Sequence, residues 1–252
     1  MVMRSVLATA TALMTATATV TMTAQASGGA ELTAPAQLRP DQVAYRDLLK
    51  EMVETNTAVS SGSCTALADK IDGRLRASGF PAADITRFSV PDHPKEGGLV
   101  AILPGSSKTL KPILLLGHID VVEAKRADWT RDPYSFIEED GYYYGRGVAD
   151  MKAMDAIWVD ALTRMKTQGY RPKRTIKLAL TCGEETTWAF NGAQWLAANK
   201  PDLIAAEFAL NEGGGGDTDG HGKLLDQQVQ VGEKAVQNFH LEATNPGGHS
   251  SI

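Results

Sequence analysis

The stretch IKLALTCGEE, residues 176–185, decides the fold. Ile176 to Leu180 is a short apolar run of the kind that forms a buried strand, and Gly183-Glu184-Glu185 follows at its carboxyl end. Leu99 to Leu103, Ile113 to Leu116 and Phe208 to Leu210 are runs of the same kind, with helical patterns between them at about Lys152 to Thr167 and Ala189 to Asn199. Continuous apolar strands separated by helices predict an α/β fold: a largely parallel sheet with helices on both faces.

Further out, Asp41 is a fair N-cap for a helix reaching about Thr55, with Ala44, Leu48 and Met52 on one face. Ser63 opens a second helix in which Leu67, Ile71 and Leu75 recur every four residues, and Gly79 stands where a left-handed residue ends it. Past the last strand, Gly213 to Gly222 is a glycine-rich loop and Val236 to Ala243 alternates apolar and polar residues like a half-exposed strand. A domain boundary is expected near Gly232.

In open α/β sheets ligands bind outside the carboxyl ends of the strands, so the residues there carry the functional information. Ile113 to Leu116 delivers Gly117-His118-Ile119-Asp120, Ile176 to Leu180 delivers Glu184 and Glu185, and Phe208 to Leu210 delivers Asn211-Glu212-Gly213. Asp150 precedes a helix in the stretch GRGVADMK, residues 145–152. One edge thus gathers a histidine and five carboxylates, which repel one another unless a cation neutralises them. Imidazole and carboxylates without thiolate suit zinc, cobalt or manganese. In His118-x-Asp120 the acid can turn back to the imidazole and fix its tautomer. Adjacent Glu184 and Glu185 point differently in extended chain, so one can bind metal while the other faces a water.

The whole chain sets bounds on this reading. At 252 residues, 43% hydrophobic and 22% charged, it has a globular composition, and a net charge of −5 with no lysine or arginine cluster argues against nucleic acid as a partner. Arg4 followed by a charge-free stretch ending in Ala24-Gln25-Ala26 reads as a removable export signal over residues 1–26, with a linker over 27–40. A periplasmic or secreted protein with no membrane anchor after signal removal is expected. Cys64 and Cys182 form no CxxC pair, so neither a disulfide scaffold nor a thiolate zinc site is expected, and Cys182 reads as strand-end packing. Trp129, Trp158, Trp188 and Trp195 are assigned to aromatic packing, and His93, His221 and His240 to solvated or packing roles.

Three imitations fail. The stretch GRGVAD at 145–150 places an acid where a dinucleotide fingerprint needs its third glycine. Gly222-Lys223 lacks the first glycine and the Ser/Thr of a phosphate loop, those positions holding Asp217 and Leu224. The stretch GGHSS at 247–251 lacks the G-x-S-x-G order of a nucleophile elbow.

From about Asp41 to its last residue the chain resembles the zinc peptidase and deacylase family that includes glutamate carboxypeptidase, acetylornithine deacetylase, succinyl-diaminopimelate desuccinylase and aminoacylase. The likeness rests on Gly117 to Asp120, Gly145 to Lys152, Gly183 to Glu185, Asn211 to Gly213 and Gly247 to Ser251. It implies a zinc-exopeptidase-like catalytic domain over 41–232 and the start of a small α+β lid and dimerisation domain over 233–252. His118 and Glu212 would bind one of two zinc ions, Glu185 the other, and Asp150 would bridge them. Glu184 would be the general base, Asp120 the acid that orients His118, and His249 the group that stabilises the oxyanion. The implied activity is hydrolysis of an amide bond in a small peptide, carboxypeptidase-like, or in an N-acyl amino acid, with a homodimer formed through the lid.

Two departures carry further expectations. In the family the chain returns from the lid to supply a final histidine ligand to the Glu185 metal, and no matching histidine occurs by Ile252. A truncated product is therefore expected, with one three-ligand site and one deficient site, and a non-catalytic metal-binding or partner-binding product is the competing reading. Thr186-Thr187-Trp188, where the family often has small residues, bears on substrate preference.

Overall fold

A computed structural model describes residues 38–186, 190–232, 237, 239–245 and 247–248. The expected export signal, most of the linker, Trp188 and His249 lie outside the described residues.

Helix α1 (Pro40–Glu54) begins one residue before the expected cap: Arg39 is its N-cap and Pro40 its first residue. Proline suits that place, because its missing N–H would have no helical partner there. Leu48, Leu49, Met52 and Val53 form the buried face, while Ala44 stays exposed. Helix α2 (Cys64–Ala77) opens as expected, with Ser63 Oγ accepting from Ala66 N at 3.2 Å. It closes on Gly79 at φ +98, with Phe80 N donating to Leu75 O at 3.1 Å, a left-handed C-terminal motif that glycine adopts without strain.

Strands β1 (Ile85–Val90), β2 (His93–Leu103), β3 (Ile113–His118), β6 (Ile176–Thr181) and β7 (Phe208–Leu210) form a sheet in the order β1-β2-β6-β3-β7. Strands β4 (Ile137–Glu139) and β5 (Tyr142–Tyr144) make a separate hairpin. The sheet is mixed rather than largely parallel: β3 runs parallel to β6 and β7, but β2 runs antiparallel to β1 and β6. Only two residues separate the Val90↔His93 pair, a connection that permits an antiparallel neighbour alone. The apolar run in β2 reflects burial on both faces, which a central antiparallel strand shares with parallel ones.

That two-sided burial follows the pleat. Leu99, Ala101 and Leu103 pack with Leu115, Leu178 and Leu180 against α1, α2 and α3 (Ala153–Thr167). Val100 and Ile102 face the other way with Leu114 and Ala179, against Leu196 of α4 (Gly192–Asn199) and Leu203 and Ile204 of α5 (Pro201–Ile204). Helices on both faces are thus present. Buried Lys177 on β6 donates to Asp202 O at 2.7 Å and Ala205 O at 2.9 Å, fastening the end of α5 to the sheet. No helix among the described residues is long and apolar enough to cross a membrane.

Two expectations need correction. Cys64 and Cys182 are joined in a disulfide with Cα atoms 6.0 Å apart. Their 118-residue separation left no trace in the sequence pattern; the start of α2 and the end of β6 meet only in the folded sheet. The strand expected over Val236 to Ala243 does not form among the described residues, 237 and 239–243, where Phe239 and Leu241 are exposed.

Candidate metal centre

Three parallel strands, β3, β6 and β7, end at the same edge, and each hands one part of the centre to the residues beyond it. His118 is the last residue of β3 and is 3% exposed. Its Nδ1 lies 3.1 Å from the backbone oxygen of Asp120 and 3.6 Å from Asp120 Oδ1. Both contacts turn Nε2 outward, toward Asp150 Oδ1 at 3.0 Å, Glu212 Oε1 at 3.4 Å and Glu184 Oε2 at 3.9 Å.

Asp120 does more than face the imidazole. Its carboxylate accepts the backbone N–H groups of Glu184 at 3.3 Å and Glu185 at 3.0 Å, so one buried acid organises both the histidine and the turn after β6. That turn requires glycine at its start, because Gly183 has φ +89 and a Cβ there would overlap the Phe190 carbonyl.

Asp150 lies in a kinked turn, Val148–Lys152, that leads into α3, and the Asp150–Met151 peptide bond is cis. Two buried contacts seat this turn. The His118 backbone N–H faces Met151 Sδ at 3.2 Å, and Lys152 Nζ donates to Met52 O and Thr55 O, both at 3.0 Å, at the end of α1. A cation there suits the negative end of the helix. Burial nevertheless lowers the Lys152 pKa to about 7, against the raising influence of Asp155 and Asp120.

The electrostatics express the demand for a cation. Burial works against a charged His118, but hydrogen bonding to Asp120 and the charges of Asp120, Glu212 and Glu184 prevail and raise its pKa to about 10. Glu185 and Glu212 are both held above the ordinary glutamate range, by burial first and then by the Asp150 charge. Asp120 is held below the ordinary range: burial opposes this, but the His118 and backbone N–H hydrogen bonds outweigh it. Acids gathered at one place favour a positive charge on the imidazole, and a metal ion would serve the same end.

The donor set fits such an ion. His118, Asp150 and Glu185 offer ligand atoms within 4.8 Å of one another, and so do His118, Glu184 and Glu212. All five residues expected at the centre, together with Asp120, are thus brought to one place. An imidazole and carboxylate oxygens without thiolate suit zinc, cobalt or manganese. Cys64, Cys182 and Asp120 also lie this close, but the sulfurs are spent in the disulfide.

Beneath His118 lies a group that the sequence reading passed over. Asp155 is fully buried and neither carboxylate oxygen finds a hydrogen-bond partner among the described residues. It occupies the space that Gly117 leaves by having no Cβ. Burial raises its pKa well above the aspartate range, His118 and Lys152 opposing. An acid on the apolar face of α3, in line with Ala156, Val159 and Leu162, was the available signal. Three of the four tryptophans fall among the described residues: Trp195 stacks on Phe88 with centroids 5.5 Å apart, Trp158 packs against the core, and Trp129 lies under the Arg146 guanidinium.

Comparison with known proteins shows the family and the fold. The chain is 30% identical over 224 residues to the human N-fatty-acyl-amino acid synthase/hydrolase PM20D1, covering 86% of this chain and 44% of that protein. It is 34% identical over 160 residues to aminoacylase-1 of Sus scrofa, 62% of this chain and 37% of that protein. The chain therefore spans less than half the length of these relatives. Its fold matches human carnosine dipeptidase 1 with a TM-score of 0.55 at 22% identity, over 67% of this chain and 38% of that one. It matches the M20 family metallo-carboxypeptidase Sso-CP2 of Sulfolobus solfataricus with a TM-score of 0.56 at 20% identity, over 67% and 37%. The model of peptidase family M20/M25/M40 matches residues 114–244, over half of the chain and the carboxyl ends of β3, β6 and β7, and the protein belongs to that family.

Proposed function

We propose that this chain carries the metal-binding half of an exported hydrolase that cleaves an amide bond in a small peptide or an N-acyl amino acid. The observation that carries the reading is the convergence of Asp150, Glu184 and Glu212 on His118 Nε2, within 3.9 Å, with Glu185 in the same cluster. The names of the relatives, an aminoacylase and an N-fatty-acyl-amino acid synthase/hydrolase, support the substrate class. The buried disulfide supports export, since such bonds persist in oxidising compartments.

His118, Asp150, Glu185 and Glu212 would hold zinc, two ions in a complete site. Bound zinc lowers the pKa of a water and polarises a carbonyl. The chain's own residues supply the rest. Glu184, at 3.9 Å from His118 Nε2 farther than Asp150 or Glu212, takes a proton from the attacking water and returns it to the leaving amine nitrogen. Asp120 fixes the imidazole through Nδ1 and holds the Glu184–Glu185 turn through two N–H groups. His249, outside the described residues, is assigned by family resemblance to the oxyanion. A homodimer through the lid belongs to the same reading.

The test is zinc per folded chain after dialysis, beside Glu212→Ala, with circular dichroism to confirm folding. About one retained zinc, lost in the variant, is expected from a three-ligand site. A folded wild type that holds none overturns the metal reading.

A further inference from the structure

Cys182 is the last residue before Gly183-Glu184-Glu185, and its sulfur is bonded to Cys64 at the first position of α2. The excursion that begins there is closed at its neck. Gly192 N donates to Cys182 O at 2.7 Å, and Asn191 Nδ2 donates to Gly183 O at 3.1 Å. Above the neck the Glu184 and Glu185 N–H groups reach Asp120. A carboxylate oxygen of Asp120 and both sulfurs lie within 4.8 Å of one another, all three residues buried. The disulfide therefore lies beside both the neck of the turn and the acid that holds its first residues, Glu184 and Glu185. A bond placed only to cross-link the chain would need neither neighbour.

We infer that the Cys64–Cys182 disulfide is a positioning element of the metal centre, an inference that rests on the metal-binding reading above. Intact, it backs the Asp120 carboxylate and fixes the neck, so that Glu184 and Glu185 are presented toward His118. Opened, it frees both and weakens metal binding. Opening needs a dithiol: one thiolate attacks a protein sulfur and breaks the S–S bond, giving a mixed disulfide. The second thiolate then displaces the protein sulfur. The products are two cysteine thiols and one cyclic disulfide, the two electrons and two protons coming from the dithiol. By linkage, a metal that prefers the oxidised form must disfavour reduction by the same factor.

Manganese(II) is the probe of choice, because carboxylate and imidazole suit it and freed thiols compete poorly for it. The oxidised, chelator-stripped chain is titrated by electron paramagnetic resonance before and after dithiothreitol reduction, with the dithiol removed, thiols counted and far-UV circular dichroism recorded. The expected result is affinity about tenfold or more weaker after reduction, with an unchanged dichroism spectrum, and a smaller reduced fraction at equilibrium with a fixed dithiol ratio when manganese is present. The double variant Cys64→Ser with Cys182→Ser should reproduce the reduced affinity. Equal affinity with both thiols free overturns the inference, and so does a reduced chain that unfolds, since the bond then serves global stability alone. An oxidised chain that binds neither manganese nor zinc overturns instead the metal reading beneath it.

Discussion

His118 and Asp120 are 3% exposed, whereas the side chains of Asp150 and Glu184, on the same centre, are 63% and 54% exposed. The buried floor is over-determined. His118 is gripped through Nδ1 and its backbone N–H, Asp120 receives two N–H groups, and Lys152 ties the adjoining turn to α1. The rim acids face solvent and meet the floor through His118 Nε2, Asp150 at 3.0 Å and Glu184 at 3.9 Å. A fold can therefore fix where the cation goes while leaving the acids that face solvent to be arranged by the cation itself. Floor substitutions should then act on metal affinity and stability, whereas on the rim Asp150, a proposed ligand, should act on affinity and Glu184 on turnover.

The sharpest break of that division is Glu184→Gln. Turnover of an N-acyl amino acid or dipeptide should fall about 10²–10⁴-fold, as expected for loss of a general base, with bound zinc unchanged by elemental analysis. Loss of zinc in this variant would make Glu184 a ligand and erase the distinction. On the floor, Asp120→Ala should weaken metal binding about 10–100-fold, the usual effect of removing a group that orients a histidine ligand. A chelator competition assay reads it directly, and an unaltered affinity would show that the Asp120 backbone carbonyl alone holds the ring.

The floor also makes a packing prediction. A Cβ at Gly117 would overlap the Asp155 carboxylate and crowd Trp158. Gly117→Ala should cost about 1–3 kcal/mol in denaturant unfolding. Combined with Asp155→Ala it should cost less than the sum of the two, because the second change vacates the space the first one needs. Strict additivity would mean that the two sites do not share that space.

Which half was legible in the sequence follows from the same physics. Strand cores, helix caps such as Ser63, and the acids at strand ends are written in local order, so Ile176–Leu180, α2 and all the ligand candidates were readable. The mixed direction of the sheet was not, since a strand buried on both faces has the same composition in either direction. The Cys64–Cys182 bond was invisible because nothing local records a partner 118 residues away. Asp155 stood in view on an apolar helix face, but its meaning depends on the glycine across from it in β3.

The pH dependence of stability probes that buried acid. In the metal-free chain Asp155 has a folded pKa above its unfolded value, because burial penalises the carboxylate. The folded state then holds a proton that the unfolded state has released, so this group's contribution is fully present below about pH 4 and is lost as pH rises through the folded pKa. Glu185 and Glu212 share the sign. His118 adds to it only from its unfolded pKa near 6.5 toward about 10, and Lys152, lowered to about 7, acts oppositely above that value. Between about pH 4.5 and 6, where Glu185 and Glu212 also titrate, the difference between wild type and Asp155→Asn carries the Asp155 contribution together with its coupling to Glu212. Urea unfolding in chelator should show wild-type stability falling relative to the variant by up to about 1.4 kcal/mol per pH unit across that window. Parallel curves would mean that Asp155 ionises at little cost when folded, and that the floor beneath His118 is wetter than its burial implies.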